Sequence, residues 1–262
     1  MRVLVCVKRV PAPGAKINIT ADGQQVDTAN LGFTMSPHEE CGVELAVQLV
    51  ERHGGESHVL TLGVPEADEQ CRYAASIGVN RATLVSVDAM DWDPQRTATA
   101  LTEAIRAIEV DDGAFDLMVM GNESADTGGY QVGIRVARAL GRPVVNGVKG
   151  VELSADGSSF VCRREIEAGS EIYELPLPAV VGVKEGITWP RYPTMRGRLA
   201  SKKLEVAVVS SDAAPGGQSK VRLVRPEEQV SETVILGHGP EAAPKVVELL
   251  RELGVWNEEV GA

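Results

Sequence analysis

Four short apolar runs, most of them followed by a stretch of helical period, constrain this chain more than any other feature. Val3–Val7 is rich in β-branched residues, and His58–Leu62, Ala82–Val87 and Leu117–Met120 repeat the pattern. Between the first two runs, Ser36-Pro37 precedes a helix predicted over His38–Arg52, with Val43, Ala46, Val47 and Val50 at helical spacing and Gly54-Gly55 closing it. Pro65–Ile77 reads as the next helix. Asp93-Pro94 opens a third, whose inner face is Ala98, Leu101, Ile105 and Ile108. Gln131–Leu140 is a fourth, ended by Gly141 and Pro143. Such alternation predicts an α/β fold: a mostly parallel sheet with helices on both faces.

The rhythm then changes. Val148–Leu153, Ser159–Glu165, Ser170–Leu175 and Ala179–Val183 are strand-like with short polar turns, and predict an antiparallel extension of the sheet. After Pro190 regular pattern fades, apart from one strand expected over Lys203–Val209. Ser210–Lys220 is rich in Ser, Gly, Ala and Pro and reads as a linker. Pro240–Leu253 is a last amphipathic helix, with Val246, Val247 and Leu250 on one side, forming a C-terminal arm. The expected division is a 1–188 α/β domain and a 189–262 segment of loop, linker and arm.

Bulk chemistry narrows the function classes. Apolar residues make up 44% of the chain, enough for a sizeable core. A net charge of −11 repels phosphate backbones, so nucleic-acid binding through bulk charge is not expected. Cys6, Cys41, Cys71 and Cys162 show no Cys-x-x-Cys spacing, which fits a reducing cytoplasmic setting without a zinc site. The apolar run at the start is too short for a signal or membrane segment, so direct membrane insertion is not expected.

In an open α/β sheet, ligands bind beyond the carboxyl ends of the strands. Three segments should meet there: Cys6–Lys8, the helix start Ser36-Pro37-His38-Glu39, and the loop Gly121–Tyr130. Gly121 permits close approach, Gly128 and Gly129 permit positive φ, and the following helix adds partial positive charge. A phosphate suits that combination, although a glycine-rich turn also serves a mere tight reversal. Asp126 has two readings as well, a ribose or ion ligand or a turn-forming residue. His38 is either a ligand contact or a cap, and Cys6 and Cys41 read as small core residues. Glu39, Glu40 and Glu44 are expected to favour the helix N-terminus and face water.

Residues 189–203, WPRYPTMRGRLASKK, set Trp189, Tyr192 and Met195 among two prolines and five basic residues. Proline keeps the segment extended, and the mix suits a docking loop. Folding back on the sheet as a lid is the competing reading.

Five stretches together resemble the β subunit of electron transfer flavoproteins (the ETF beta, or FixA, family), across almost the whole chain. They are VLVCVKRVP at Val3–Pro11, MSPHEECGVELAVQL at Met35–Leu49, ASIGVNRATLV at Ala75–Val85, the loop GNESADTGGYQVG, and LPAVVGVKEGITWPRYPTMRG at Leu177–Gly197. Lys202-Lys203 sits at the family's lysine tract. The resemblance implies a Rossmann-like, adenine nucleotide alpha hydrolase-like sheet. It implies a heterodimer with an alpha subunit that holds the redox FAD mainly on its own side, while the beta chain buries an AMP.

Carried over position by position, the nucleotide site would use Cys6, then Ser36, Pro37, His38 and Glu39, then Leu62. The loop would contribute Gly121, Asn122, Glu123, Ser124, Ala125, Asp126, Thr127, Gly128, Gly129, Tyr130, Gln131 and Val132. Met195 would anchor partner dehydrogenases, helped by Trp189, Tyr192, Arg191, Arg196 and Arg198. The implied carrier accepts electrons from acyl-CoA and related dehydrogenases, in fatty acid oxidation among other pathways. It passes them to an electron transfer flavoprotein–quinone oxidoreductase, with no bond-making residue in this chain.

Departures from the family pattern are specific. Ser36 stands where Asn is usual. Asp126-Thr127-Gly128 differs from flavin-bifurcating members and favours AMP over a second FAD. Two other α/β readings fit less well. A stand-alone adenine-nucleotide-binding stress-type module would carry a late Gly-x-x-Gly…Gly-Ser motif, and an ATP-using ligase or pyrophosphatase would carry Ser-Gly-Gly-x-Asp-Ser after the first strand. Neither is present.

Overall fold

The computed structural model describes residues 1–89, 91–227 and 233–256. Among the described residues, 1–223 belong to one compact unit and those from Val224 onward to another. In chain order the first unit holds β1 (Arg2–Val7), β2 (Val10–Pro11), β3 (Asn18–Ile19), β4 (Val26–Asp27), β5 (Phe33–Thr34), α1 (Pro37–His53), β6 (Glu56–Gly63) and α2 (Asp68–Ile77). These are followed by β7 (Arg81–Ser86), α3 (Pro94–Asp112), β8 (Leu117–Gly121), α4 (Val132–Leu140), β9 (Val144–Leu153), β10 (Ser159–Ile166) and β11 (Gly169–Pro176). The unit closes with β12 (Ala179–Val183), α5 (Met195–Ser201) and β13 (Val206–Ser210). In the second unit, α6 runs over Ala243–Glu252.

Among the described residues, the main sheet has nine strands in the order β11-β10-β9-β12-β8-β1-β6-β7-β13. β2 pairs with β5 and β3 with β4 as two small antiparallel ribbons. β1 is central and parallel to both neighbours, with Val5 opposite Val59 of β6 and opposite Val119 of β8. Its alternation divides the core. Val3, Val5 and Val7 pack with Val43 and Val47 of α1 and Ala74 and Ile77 of α2. Leu4 and Cys6 pack on the other face with Ala98, Leu101 and Ile105 of α3 and Val136 of α4. Helices therefore cover both faces, as the alternating pattern requires.

Four details depart from expectation. Ala179–Val183 does not belong to the antiparallel extension. It runs parallel between β8 and β9, and all five of its residues are buried, which explains its unbroken apolar run. β9 starts at Val144; its first half pairs parallel with β12 and its second half antiparallel with β10. After Pro190 a short helix does form, because Thr194 caps α5 by accepting the Gly197 N–H at 3.0 Å. Finally, Glu39 and Glu44 of α1 do not face water: they are 6% and 2% exposed. Each has a partner that makes burial tolerable.

The stretch after β13, linker-like in composition, is held to the body. Asp93 accepts the Gly216 N–H at 2.9 Å, and Arg96 donates to the Ala213 carbonyl at 2.7 Å.

Candidate functional site

A cavity opens at the carboxyl edge of the parallel strands, where the chain order reverses between β1 and β8. The ends of β1, β6 and β8 and the starts of α1, α3 and α4 converge on it. Twelve of the expected cofactor-site residues line it: Cys6, Glu39, Leu62, Gly121, Asn122, Glu123, Ser124, Thr127, Gly129, Tyr130, Gln131 and Val132. Ser36, Pro37, His38, Ala125, Asp126 and Gly128 stand behind or beside the wall and do not line it.

The α1 start is built by a reciprocal cap. Ser36 Oγ accepts the Glu39 N–H at 3.3 Å, and Glu39 Oε2 accepts the Ser36 N–H at 3.0 Å. The Ser36 hydroxyl is thus engaged in the cap, and its side chain is buried. Burial pushes the Glu39 carboxyl up to about 7 against the opposing hydrogen bonds. Burial, and then the charge of Glu39, push the Cys6 thiol up to about 12, so it stays protonated and inert. Pro37 is exposed, and His38 accepts the Glu185 N–H at Nδ1, 2.8 Å away.

Gly121 is required for close approach. A Cβ there would lie 2.8 Å from Glu39 Cγ. Beyond it, Asn122 is buried and its Oδ1 accepts the Gly147 N–H at 2.9 Å. Ser124 and Thr127 hydroxyls bond each other at 2.8 Å. Lys8 Nζ grips both oxygens of Asp126, at 2.8 and 2.7 Å, and so ties the loop to the end of β1. Burial alone would raise the Asp126 carboxyl, but the Lys8 charge and hydrogen bond outweigh it and hold it below the ordinary value.

The expected left-handed residues are half right. Gly128 has φ +55°, but the second such residue is Tyr130, also at +55°, and not Gly129. A left-handed tyrosine is uncommon and marks an over-determined turn. It delivers the chain to α4, whose start has no side-chain cap. The first-turn N–H groups of Val132, Gly133 and Ile134 therefore border the cavity without a capping side chain to satisfy them.

Several wall residues escaped sequence reasoning. Trp92, Pro94, Thr97 and Leu101 enter from the start of α3, and Asn146 from β9. The Asp93-Pro94 helix opening was a usable signal, since every helix that follows a parallel strand starts at this same edge. Asn146 had none, because it depends on β12 inserting between β8 and β9.

The docking-loop residues lie elsewhere. Trp189, Tyr192 and Met195 are 89%, 93% and 74% exposed. Arg196 and Arg198 are exposed on α5. Arg191 is turned inward: its guanidinium bonds Glu44 at 2.8 Å and Glu51 at 2.7 Å.

Comparison with known proteins bears directly on this arrangement. Residues 24–214 match the family described as "Electron transfer flavoprotein domain". The chain is 36% identical over 225 residues to the electron transfer flavoprotein subunit beta of Syntrophomonas wolfei, spanning 86% of this chain and 84% of that one. This chain belongs to the electron transfer flavoprotein family, on its beta-subunit side. The beta subunit of Bacillus subtilis is 28% identical over 260 residues, 96% of this chain and 98% of its own. The protein FixA of Azorhizobium caulinodans is 29% identical over 218 residues, 82% and 76% respectively. Electron transfer is the role these beta-subunit relatives carry in their names, and the α/β sheet described above is consistent with the family. Among the described residues, no helix is long and apolar enough to cross a membrane.

Proposed function

We propose that this chain is the beta subunit of a heterodimeric electron carrier, that it holds AMP in the cavity between β1 and β8, and that it presents the Trp189–Arg198 loop to partner dehydrogenases. The observation that carries the nucleotide assignment is the uncapped start of α4 opening on a cavity walled otherwise by strand ends. The donor set suits a nucleotide monophosphate. The apolar part of the lining (Leu62, Trp92, Leu101 and Met120) suits a purine. The polar part, the Ser124 and Thr127 hydroxyls and the first-turn amides of α4, suits a phosphate.

The FAD is held mainly by an alpha subunit and supplies the electron storage when bound. This chain's residues orient, exclude water and dock. Cys6 is held protonated and Glu39 is locked in a cap, so both serve the scaffold of the site. Partner recognition falls on Trp189, Tyr192 and Met195, exposed apolar groups beside Arg196 and Arg198. Electrons then pass from acyl-CoA or related dehydrogenases, through the carrier, toward a membrane quinone oxidoreductase. The setting is cytoplasmic.

Co-expression with an alpha subunit tests the reading. The expected result is a co-purifying pair with flavin absorption bands that an acyl-CoA dehydrogenase and its substrate bleach. A colourless single chain that no alpha subunit retains would overturn it.

A further inference from the structure

Asn146 is a polar wall residue with no assigned purpose. It sits on β9 directly opposite Gly182 of β12. Its carboxamide folds across that strand: a Cβ on Gly182 would meet Asn146 Cγ at 2.9 Å and overlap its Oδ1. Gly182 therefore leaves the space that the Asn146 amide fills. The next residue, Gly147, has φ +75° and forms a bulge, and its N–H is bound by Asn122 Oδ1 at 2.9 Å. The site loop and the bulged strand are thus fastened together at this point, which fixes where Asn146 stands.

The Asn146 side chain is half-buried and borders the same cavity as Gln131, Val132, Gly133 and Ile134. Among the described residues its carboxamide makes no hydrogen bond to protein. A cross-strand glycine gives this amide its room and no protein group takes up its N–H₂, so the donor is free to meet a ligand in the cavity. In the sheet β9 is separated from β6, which carries Leu62, by β12, β8 and β1, and Asn146 lines the cavity together with the first-turn residues of α4. There an N–H₂ donor without charge complements the α4 amides in an otherwise acidic chain.

We propose that Asn146 is a specificity-determining residue of the nucleotide site, donating from Nδ2 to a phosphate oxygen and so selecting a nucleoside phosphate over the bare nucleoside. This deepens the AMP assignment and rests on it. The residue selects and takes no part in electron transfer.

Isothermal titration of the full-length chain paired with its alpha subunit, after denaturation and refolding have stripped the nucleotide and FAD has been restored, with AMP and with adenosine separates the two claims. Wild type is expected to bind AMP more tightly than adenosine. Asn146→Ala is expected to lose about tenfold in AMP affinity, the worth of one hydrogen bond to a charged group, while its adenosine affinity stays at the wild-type level. Asn146→Asp, of the same shape but opposed in charge to a phosphate, is expected to lose more. Unchanged adenosine binding reports an intact fold in both variants. Wild-type AMP affinity in both variants would overturn the role of Asn146 and leave the AMP site standing. Failure of the stripped wild-type pair to bind either compound would overturn both.

Discussion

The Arg191 guanidinium closes on both oxygens of the buried Glu44 carboxylate, Nη2 at 2.8 Å from Oε1 and Nε at 2.9 Å from Oε2. The backbone N–H of Arg191 adds a third bond to Glu44, at 3.2 Å, and Nη1 reaches Glu51 at 2.7 Å. One side chain thus pins the root of the docking loop to α1 while Trp189 and Tyr192 on either side remain exposed.

Removing that clamp exposes its cost. Burial would raise the Glu44 carboxyl, but the hydrogen bonds from Arg191 and Gln48 outweigh it and hold it below the ordinary value of 4.5. The pair's contribution is therefore complete above that value and fades as pH falls through the lowered folded pKa. Arg191→Ala is expected to cost about 2 kcal/mol near neutral pH, because a buried carboxylate loses its charged partner. Urea unfolding curves should show this, and the wild-type advantage should shrink in acid.

Glu39 titrates in the opposite sense. Its folded pKa, about 7, lies above the ordinary 4.5, so the folded chain holds this proton more tightly than the unfolded chain does. Its contribution is full below about 4.5, declines as pH rises, and levels off above about 7. Glu39→Gln keeps an acceptor for the Ser36 N–H and removes the charge. Denaturant unfolding across this pH window is expected to show a shallower loss of stability with rising pH in the variant than in the wild type.

Gly121→Ala probes the fit of the loop against α1. The added Cβ would lie 2.8 Å from Glu39 Cγ, and Glu39 is buried and held in its cap. Relief requires the loop or the cap to shift, at about 1–3 kcal/mol. A lower melting temperature and reduced AMP affinity are the expected outcomes, read by thermal unfolding and titration calorimetry.

Met195→Ala separates docking from binding. Met195 is 74% exposed at the first position of α5, so its loss should leave the fold untouched. As a docking anchor it is expected to be worth about tenfold in the KM of a partner dehydrogenase for the carrier, with nucleotide content unchanged. Steady-state reduction of the flavin measures the first, and mass spectrometry of the nucleotide released on denaturation the second.

What was legible in the residues follows from periodicity. Leu101 and Ile105 read as the inner face of α3, and they are buried there. The opening loop at Gly121 read as a site because glycine, polarity and a following helix coincide at a strand end. What was not legible depends on long-range partners. Glu44 looks like a solvated helix acid until Arg191, 147 residues away, is placed beside it. Ala179–Val183 looks like the last strand of a meander until its parallel neighbours are known, and Asn146 becomes a wall residue only through that insertion. Gly129 and Tyr130 could not be told apart as the left-handed residue, because glycine permits positive φ without requiring it.

Nucleotide analysis of the purified heterodimer tests the central claim most directly. Mass spectrometry of what denaturation releases is expected to find one AMP and one FAD per pair. Two FAD and no AMP, or FAD alone, would contradict the assignment of the cavity between β1 and β8.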